Sequence, residues 1–351
     1  MRNPMQKNVT IIDSTLRDGS HALAHQIDAD FISAYAQGAE AAGIPMLVVG
    51  HGNGLGASSL HLGTSLCSDH EMLAAAKKHL KKTQLAAFLI PGFGTIKNDI
   101  IPAIEDGIDA IIIASHCTEA NVTRQHIEFA RQHNVLTYGV LMMSHMIDAH
   151  ELLAQAKYME SYGAQGVILM DSAGAYTQTD VQQKVSALVD GLKIPVGFHA
   201  HNNLGLAVAN ALEAVKVGAS IIDGTSRGLG AGAGNCPLEV VVAVLQKTGY
   251  ETGLTLYPML DNGDLVSKRV EKLPELNSVT LVSGLAGVFS GFAPHAMKAA
   301  KRFGVDVRDI LIELGKRRIV GGQEDMIVEV AHYIKQKKAG IHEDFQLESL
   351  T

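Results

Sequence analysis

Eight short aliphatic runs recur in the first 225 residues, and they limit the possible folds more than any other feature of the chain. Runs that are apolar throughout are typical of strands buried on both faces, as the strands of a parallel sheet are. Segments with apolar residues at helical spacing separate most of these runs. The predicted strands are 9–13, 45–50, 85–90, 110–115, 136–142, 167–171, 196–201 and 220–225, and the predicted helices are 28–42, 69–82, 119–133, 148–162, 180–192, 206–217 and 238–248.

Eight alternations of strand and helix predict an α/β protein with a (β/α)8 TIM barrel rather than an open doubly wound sheet. No nucleotide-binding glycine pattern follows the first strand, which further disfavours a dinucleotide-binding fold. After residue 255 the pattern changes to helices without strands, predicted at 257–272, 281–290, 294–303, 307–315 and 323–337. We therefore expect a catalytic barrel at 1–255 and an appended C-terminal helical domain at 256–345. The tail 340–351 is expected to be loosely ordered.

Composition excludes several classes of function. The net charge of −7 argues against a nucleic-acid or anionic-membrane partner, and the basic cluster at 316–318 is too short to reverse this. The first residues lack the apolar core of a signal peptide, and no run approaches membrane-spanning length. Three widely separated cysteines do not indicate a disulfide framework. We expect a soluble, cytoplasmic protein.

The carboxyl ends of the predicted strands are unusually polar. Barrel enzymes place their chemistry at that end, because the loops there vary without disturbing the core. The polar residues found there are Arg17, Asp18, His21, His51, Ser115, His116, Ser144, His145, Asp171, Ser172, His199, His201 and Asp223. So many ionisable groups at one end favour an enzyme.

The segment 195–205 predicts a buried strand that ends in two histidines. Alternate residues of a strand project to the same face, so His199 and His201 point the same way. Two imidazoles supply half of a divalent-metal site, and Asp18 would add a carboxylate oxygen. Two histidines and one carboxylate with open positions suit Mn, Fe, Co or Zn. The alternatives are histidines at a wet strand end and an aspartate that caps a turn.

Two neighbours of Asp18 are candidates for catalysis. Arg17 would place a fixed positive charge where an enolate or alkoxide oxygen develops. His21 lies in the same loop, titrates near neutrality and is the natural general acid or base. We expect His25, by contrast, to be an exposed loop histidine.

The glycine-rich segment 228–239 follows the eighth strand. Its glycines let backbone amides approach a substrate or metal closely, and Asn235 could offer an amide oxygen from just behind the ligands. The next residue, Cys236, is more typical of a small packing residue before a helix than of a nucleophile.

Eight segments together resemble the 4-hydroxy-2-oxovalerate aldolases over nearly the whole chain. The Thr-Leu-Arg-Asp-Gly segment and the His-x-His pair are similar to the wider superfamily, which includes hydroxymethylglutaryl-CoA lyase and isopropylmalate synthase. The Gly-Gly-Gln-Glu-Asp-Met stretch and the Met-Met-Ser-His-Met run are similar to these aldolases in particular. The eight segments are 15–19, 51–55, 91–96, 116–119, 141–146, 199–204, 228–239 and 317–327.

The resemblance implies a bacterial enzyme of aromatic meta-cleavage catabolism that splits a 4-hydroxy-2-oxoacid into pyruvate and an aldehyde. Its implied ligands for a divalent metal, usually Mn2+, are Asp18, His199 and His201. That metal would chelate the 1-carboxylate and 2-oxo oxygens of the substrate. His21 would remove the 4-hydroxyl proton, Arg17 would stabilise the pyruvate enolate, and Ser172 would contact the substrate. The retro-aldol step needs an electron sink at C2 and a base at the C4 hydroxyl, which agrees with these roles.

The resemblance also implies a partner. Enzymes of this family pair with an acylating acetaldehyde dehydrogenase, which receives the volatile aldehyde through a channel. The C-terminal helices are where that partner would dock. The implied assembly is a hetero-oligomer built on an aldolase dimer.

One departure from the family pattern concerns the substrate. The run Ala-Gly-Val-Phe-Ser carries Phe289 where the family usually has Tyr, close to the C4 end of the substrate. The lost hydroxyl predicts weaker stereochemical discrimination at C4 or a different preferred aldehyde. Asn53 and Phe88 also differ from the commonest Asp and Leu, and Phe88 could narrow the aldehyde pocket.

Two rival functions remain open at this point. A lyase or synthase of the same superfamily would act on acyl-CoA thioesters, but no basic cluster near a barrel loop suits the phosphates of CoA. A catalytically inactive barrel could act only as a scaffold for the dehydrogenase. The joint presence of Arg17, Asp18, His21, His199 and His201 argues against it.

Overall fold

The computed structural model describes residues 8–338 and contains a closed barrel of eight parallel strands, which confirms the predicted fold class. The strands pair in chain order, and the last strand closes on the first with Thr10 opposite Ile221. The predicted strand bounds are accurate to within two residues. The strands are β1 Thr10–Asp13, β2 Met46–Val48, β3 Gln84–Leu89, β4 Ala110–His116, β5 Leu136–Met142, β6 Val167–Asp171, β7 Val196–Ala200 and β8 Ile221–Gly224.

Eight α-helices alternate with the strands, and five more follow them within the described residues. The barrel helices are α1 Ala29–Ala42, α2 Asp69–Lys77, α3 Ile101–Glu105, α4 Arg124–Gln132, α5 Ala149–Ser161, α6 Gln178–Gly191, α7 Ala207–Lys216 and α8 Leu238–Lys247. The C-terminal helices are α9 Leu256–Arg269, α10 Ser278–Ala286, α11 Ala293–Phe303, α12 Val307–Lys316 and α13 Asp325–Lys338. The sequence pattern does not indicate α3, because this helix has only five residues and follows a π-helical turn at Ile96–Ile100.

Local signals explain where several helices begin. Ser68 accepts a hydrogen bond from the Glu71 amide, and the Glu71 carboxylate bonds back to the Ser68 amide, which satisfies free donors at the start of α2. Thr177 and Asp180 form the same reciprocal pair before α6. Asp28 caps α1 through the Phe31 amide.

The hydrophobic core of the barrel has two layers. Alternate strand residues point inward and fill the barrel, including Ile12, Phe88 and Ile168. The others point outward against the helices, where Phe198 and Ala200 pack as the strand alternation predicts. Because Phe198 and Ala200 face outward, His199 between them faces the interior of the barrel.

The C-terminal helices form a smaller unit with a core of its own. The second core is built from α10–α13 and from the segment around Val288. Helix α9, in contrast, packs on the barrel, since Met259 and Val266 belong to the barrel core and Asn262 Nδ2 donates to Tyr35 O at 3.3 Å. The division at residue 255 stays a prediction, and we propose that α9 belongs with the barrel. The end of the second domain at 345 and the tail 340–351 lie outside the described residues.

Within residues 8–338, no helix is both long and apolar enough to cross a bilayer.

Candidate metal centre

Three predicted ligands meet at the carboxyl end of the barrel. Asp18 begins a short 3-10 helix, Asp18–Leu23, just after β1, while His199 lies in β7 and His201 follows it. Since β8 alone separates β7 from β1, the two segments lie side by side at one rim. One ligand atom from each residue lies within 4.8 Å of the others, and all three residues are buried.

The ligand atoms are free to bind a cation. Asp18 Oδ1, His199 Nε2 and His201 Nδ1 are buried and have no hydrogen-bond partner among residues 8–338. A buried polar atom without a partner costs about 1–3 kcal/mol, so one such atom on each of three neighbouring side chains indicates a bound group. Two imidazole nitrogens and one carboxylate oxygen are a donor set for Mn, Fe, Co or Zn. The residues therefore fit a divalent metal.

Asp223 orients one of the two candidate histidine ligands. Its Oδ2 lies 2.8 Å from His199 Nδ1, which assigns the ring proton to Nδ1 and leaves the Nε2 lone pair facing Asp18. Burial lowers the pKa of His199, but the carboxylates of Asp223 and Asp18 together outweigh burial, and the pKa is raised overall. Sequence reasoning assigns Asp223 no role, although its register opposite His199 on the neighbouring strand was the available signal.

Arg17 is a buried cation beside the candidate ligands. Its Nη1 lies 3.0 Å from Asp18 Oδ2 and donates to Gly52 O at 3.2 Å, while the guanidinium carbon lies 4.3 Å from the Phe88 ring centroid. Burial alone would raise the pKa of Asp18. The positive charge of Arg17, and after it the influence of His201, outweighs burial, so the pKa of Asp18 falls far below its usual range. Asp18 is therefore ionised. Arg17 Nε, without a partner within residues 8–338, is an available donor.

His21 is half-buried, and its ring lies close to the backbone at Gly52. A Cβ at Gly52 would lie 2.4 Å from His21 Nε2, so only glycine fits there without moving the ring. Burial lowers the pKa of His21, and the attraction of Asp18 only partly compensates. The imidazole is consequently neutral at pH 7, the state in which it can accept a proton.

The expectation that His25 is an exposed loop histidine is wrong. Its ring is buried and stacks on His51 with centroids 3.7 Å apart, and it contacts the edge of His21 at 5.0 Å. Burial lowers the pKa of His25 to about 3 and that of His51 to about 4. Ser20 Oγ and Gly63 O satisfy ring nitrogens of the two residues at 3.0 and 3.1 Å. The stacked, neutral rings of His25 and His51 therefore pack against His21.

A cavity of about 30 Å³ lies against the candidate ligands. Its lining contains both polar and apolar side chains. The polar side chains are Arg17, Asp18, His21, Asn53 and His201, and the apolar ones are Phe88, Ile90, Met142, Met170, Ala231 and Phe289. The cavity shares His21, Asn53 and Phe289 with a groove of about 790 Å³ between the barrel mouth and the C-terminal helices. A ligand with a small polar group and an apolar chain would match this lining.

Two other predicted site residues, Asn235 and Ser172, lie at different distances from the cavity. Asn235 is next to Asp18, because a Cβ at Gly230 would lie 2.3 Å from Asn235 Nδ2 and 3.1 Å from Asp18 Oδ1. Ser172 is fully buried outside the cavity lining, and its Oγ accepts a hydrogen bond from the Met143 amide at 2.9 Å. Its contact with substrate stays a prediction.

Cys236 is buried, and burial raises the pKa of its thiol well above the usual range. This state is unsuited to a nucleophile and agrees with a packing role.

Two family models match the chain. The HMGL-like model covers residues 8–266, and the DmpG-like communication domain covers residues 274–336. The 4-hydroxy-2-oxovalerate aldolase of Pectobacterium atrosepticum is 52% identical over 95% of this chain and 97% of its own length. The enzyme of the same name from Spirochaeta aurantia is 51% identical over 96% of this chain and 99% of its own length.

More distant solved structures share the fold. The carboxyl transferase domain of Rhizobium etli pyruvate carboxylase has a TM-score of 0.80 at 17% identity, covering 95% of this chain and 61% of that chain. The HMG-CoA lyase of Brucella melitensis has a TM-score of 0.67 at 18% identity, covering 76% of this chain and 100% of that chain.

Proposed function

Because the chain belongs to the HMGL-like family and, within it, to the 4-hydroxy-2-oxovalerate aldolases, we propose that it cleaves 4-hydroxy-2-oxopentanoate or a close 4-hydroxy-2-oxoacid. The products are pyruvate and acetaldehyde or a longer aldehyde, and the enzyme is a cytoplasmic carbon–carbon lyase of aromatic meta-cleavage catabolism. The observation that carries this proposal is the convergence of three buried side chains, each with an unpartnered polar atom, beside Arg17 and His21.

The proposed metal is Mn2+, held by Asp18, His199 and His201. When bound, a divalent cation supplies Lewis-acid polarisation of the 2-oxo group, the electron sink that cleavage between C3 and C4 requires. Asp223 keeps His199 in the tautomer that presents Nε2. Asn235 Oδ1 is buried and lacks a partner within the described residues, so it offers one further oxygen just behind the ligands.

Arg17 stabilises the charge that appears during cleavage. Its guanidinium is fixed by Asp18, by Gly52 O and by the Phe88 ring, so it needs no reorganisation when an enolate oxygen forms nearby.

His21 removes the proton of the 4-hydroxyl group. The ring lines the cavity on the side shared with the larger groove, and burial keeps it neutral. Withdrawal of this proton drives the C4 oxygen toward a carbonyl as the C3–C4 bond breaks. General-base catalysis of this kind is worth about 10²–10⁴ in rate.

Phe289 and Ser172 are the remaining residues proposed to contact the substrate. The Phe289 ring lines the cavity and packs edge-on against Phe292, with centroids 5.7 Å apart. Ser172 O accepts hydrogen bonds from the amide and the hydroxyl of Ser290, which anchors the residue after Phe289. We propose that Phe289 contacts the substrate near C4, and the direct contact proposed for Ser172 requires a shift of its hydroxyl.

The match to a communication domain supports an interaction partner. We propose that an acylating acetaldehyde dehydrogenase binds the helices α10–α13 and that the assembly is built on an aldolase dimer. Co-expression and gel filtration with light scattering measure both the partner and the stoichiometry. An aldolase that elutes alone at the monomer mass would refute this assembly.

The test of the proposed function is pyruvate release from 4-hydroxy-2-oxopentanoate, coupled to lactate dehydrogenase, before and after chelation and with Mn2+ restored. Asp18→Ala and His21→Ala should abolish or strongly reduce release, but only Asp18→Ala should lose metal binding. His150→Ala, which removes an exposed histidine of α5, is the matched control and should be fully active.

Two outcomes would favour the rival functions. Normal metal binding without pyruvate from any 4-hydroxy-2-oxoacid would favour an enzyme that acts on acyl-CoA thioesters. Absence of both metal binding and turnover would favour an inactive scaffold.

A further inference from the structure

A buried hydrogen-bond cluster lies directly beneath the loop that carries Asp18. Asp13, the last residue of β1, accepts hydrogen bonds from the amide and the hydroxyl of Thr15 through Oδ1. The Tyr35 hydroxyl, from helix α1, lies 2.7 Å from Asp13 Oδ2. All three residues are at most 1% exposed. Burial raises the pKa of Asp13 to about 6, so at pH 7 its carboxylate is mostly ionised and accepts, and Tyr35 is the donor in this bond.

The cluster determines the path of the turn between β1 and Asp18. With its Oδ1 on the Thr15 amide, Asp13 holds the first peptide of the turn. The Ser14 carbonyl then accepts the amides of Arg17 and Asp18 at 3.1 and 2.8 Å, so both side chains start from a defined backbone. Any movement of Thr15 is therefore passed on to Asp18.

The same cluster ties in the loop after β8. The Ser226 amide donates to Thr15 Oγ1 at 2.7 Å, and Ser226 Oγ lies 2.6 Å from the Tyr35 hydroxyl oxygen. Because the Tyr35 proton goes to Asp13, the Ser226 hydroxyl donates to Tyr35. The loop from Ser226 onward leads to Asn235, next to Asp18. One tyrosine oxygen thus joins the two loops that flank the candidate metal centre.

We propose that Tyr35 is a positioning residue of the metal centre, acting through Asp13, Thr15 and Ser226 on the loops that place Asp18. This inference rests on the proposed function, because it concerns the metal that Asp18 binds there. Tyr35 does not line the cavity beside the candidate ligands. Outer hydrogen-bond partners of metal ligands typically change affinity or activity by about 10–100-fold when they are removed.

The experiment measures Mn2+ affinity by calorimetric titration of the chelated protein, for wild type, Tyr35→Phe and Tyr176→Phe. Tyr176 is the matched control, because it is also buried in the barrel and its hydroxyl donates to a serine, Ser144 Oγ, at 2.9 Å. The expected result is about 10-fold weaker Mn2+ binding in Tyr35→Phe and unchanged binding in Tyr176→Phe. The melting temperature of the metal-free proteins should fall in both variants.

Wild-type affinity in a folded Tyr35→Phe variant would overturn the inference, as would equal losses of affinity in both tyrosine variants. Should Tyr35→Phe fail to fold, Ser226→Ala takes its place. It keeps the bond from Tyr35 to Asp13 and the bond from the residue 226 amide to Thr15 Oγ1, and it removes only the hydroxyl bond to Tyr35. A smaller loss of affinity is therefore expected, and no loss would overturn the inference. Absence of Mn2+ binding to the wild type would overturn the proposed metal centre itself, and this inference with it.

Discussion

Gly52 gives the sharpest test of the role proposed for His21. A Cβ at this position would lie 2.4, 2.5 and 2.6 Å from three atoms of the His21 ring, well inside the closest contacts that real Cβ atoms make. The backbone of Gly52 is not in the left-handed region, so alanine causes no backbone strain there. Gly52→Ala should therefore displace the ring by about 1 Å and leave the fold intact.

A displacement of this size predicts a large loss of activity. A misplacement of about 1 Å in a reacting group costs about 10²-fold in rate, so kcat for pyruvate release should fall by about that factor while Mn2+ affinity stays at the wild-type value. Gly321→Ala is the matched control, because its new Cβ would meet no atom within 4 Å and the residue lies in the C-terminal unit. Wild-type kcat in Gly52→Ala would refute the placement of His21 at the reacting hydroxyl.

Three further predictions concern other residues of the site. The pKa values of His25 and His51, about 3 and about 4, lie below the ordinary 6.5, so stability present at pH 7 is lost as pH falls below 6.5. Between pH 7 and 5 each of the two histidines lowers the free energy of unfolding by about 2 kcal/mol. In the double variant His25→Gln/His51→Gln, the free energy of unfolding measured with denaturant should therefore depend less on pH than in the wild type. The same pH dependence in both proteins would contradict this prediction. Phe289→Tyr should change the ratio of kcat/KM for the two C4 enantiomers by about fivefold, the worth of one hydrogen bond, and an unchanged ratio would place Phe289 away from C4. Asp223→Asn should weaken Mn2+ binding, measured by titration, by about 10–100-fold. Unchanged Mn2+ affinity would show that Asp223 does not orient His199.

The barrel could be predicted from the sequence because its strands are buried on both faces. Such strands are short, continuous apolar runs, and the segment 136–142, for example, is a strand with the predicted bounds. The short helix α3 gave no comparable pattern, since five residues expose too few positions for a helical period. The placement of α9 against α1 also left no signal, because it depends on contacts such as that between Asn262 and Tyr35.

The sequence by itself determined which atoms are available for chemistry. The alternation of side chains along a strand puts His199 and His201 on one face, and the end of β1 supplies Asp18 at the same rim. These follow from local geometry and from the rule that parallel barrel strands end together.

Only the tertiary structure decided the environment of those atoms. The burial that lowers the pKa of His25, the carboxylate of Asp223 on His199 and the hydroxyl of Tyr35 on Asp13 all join residues far apart in the chain. Desolvation and hydrogen bonding depend on the distances between such residues, which no single segment encodes. The kind of site is thus a local property of this sequence, whereas the orientation and protonation of its groups arise from packing.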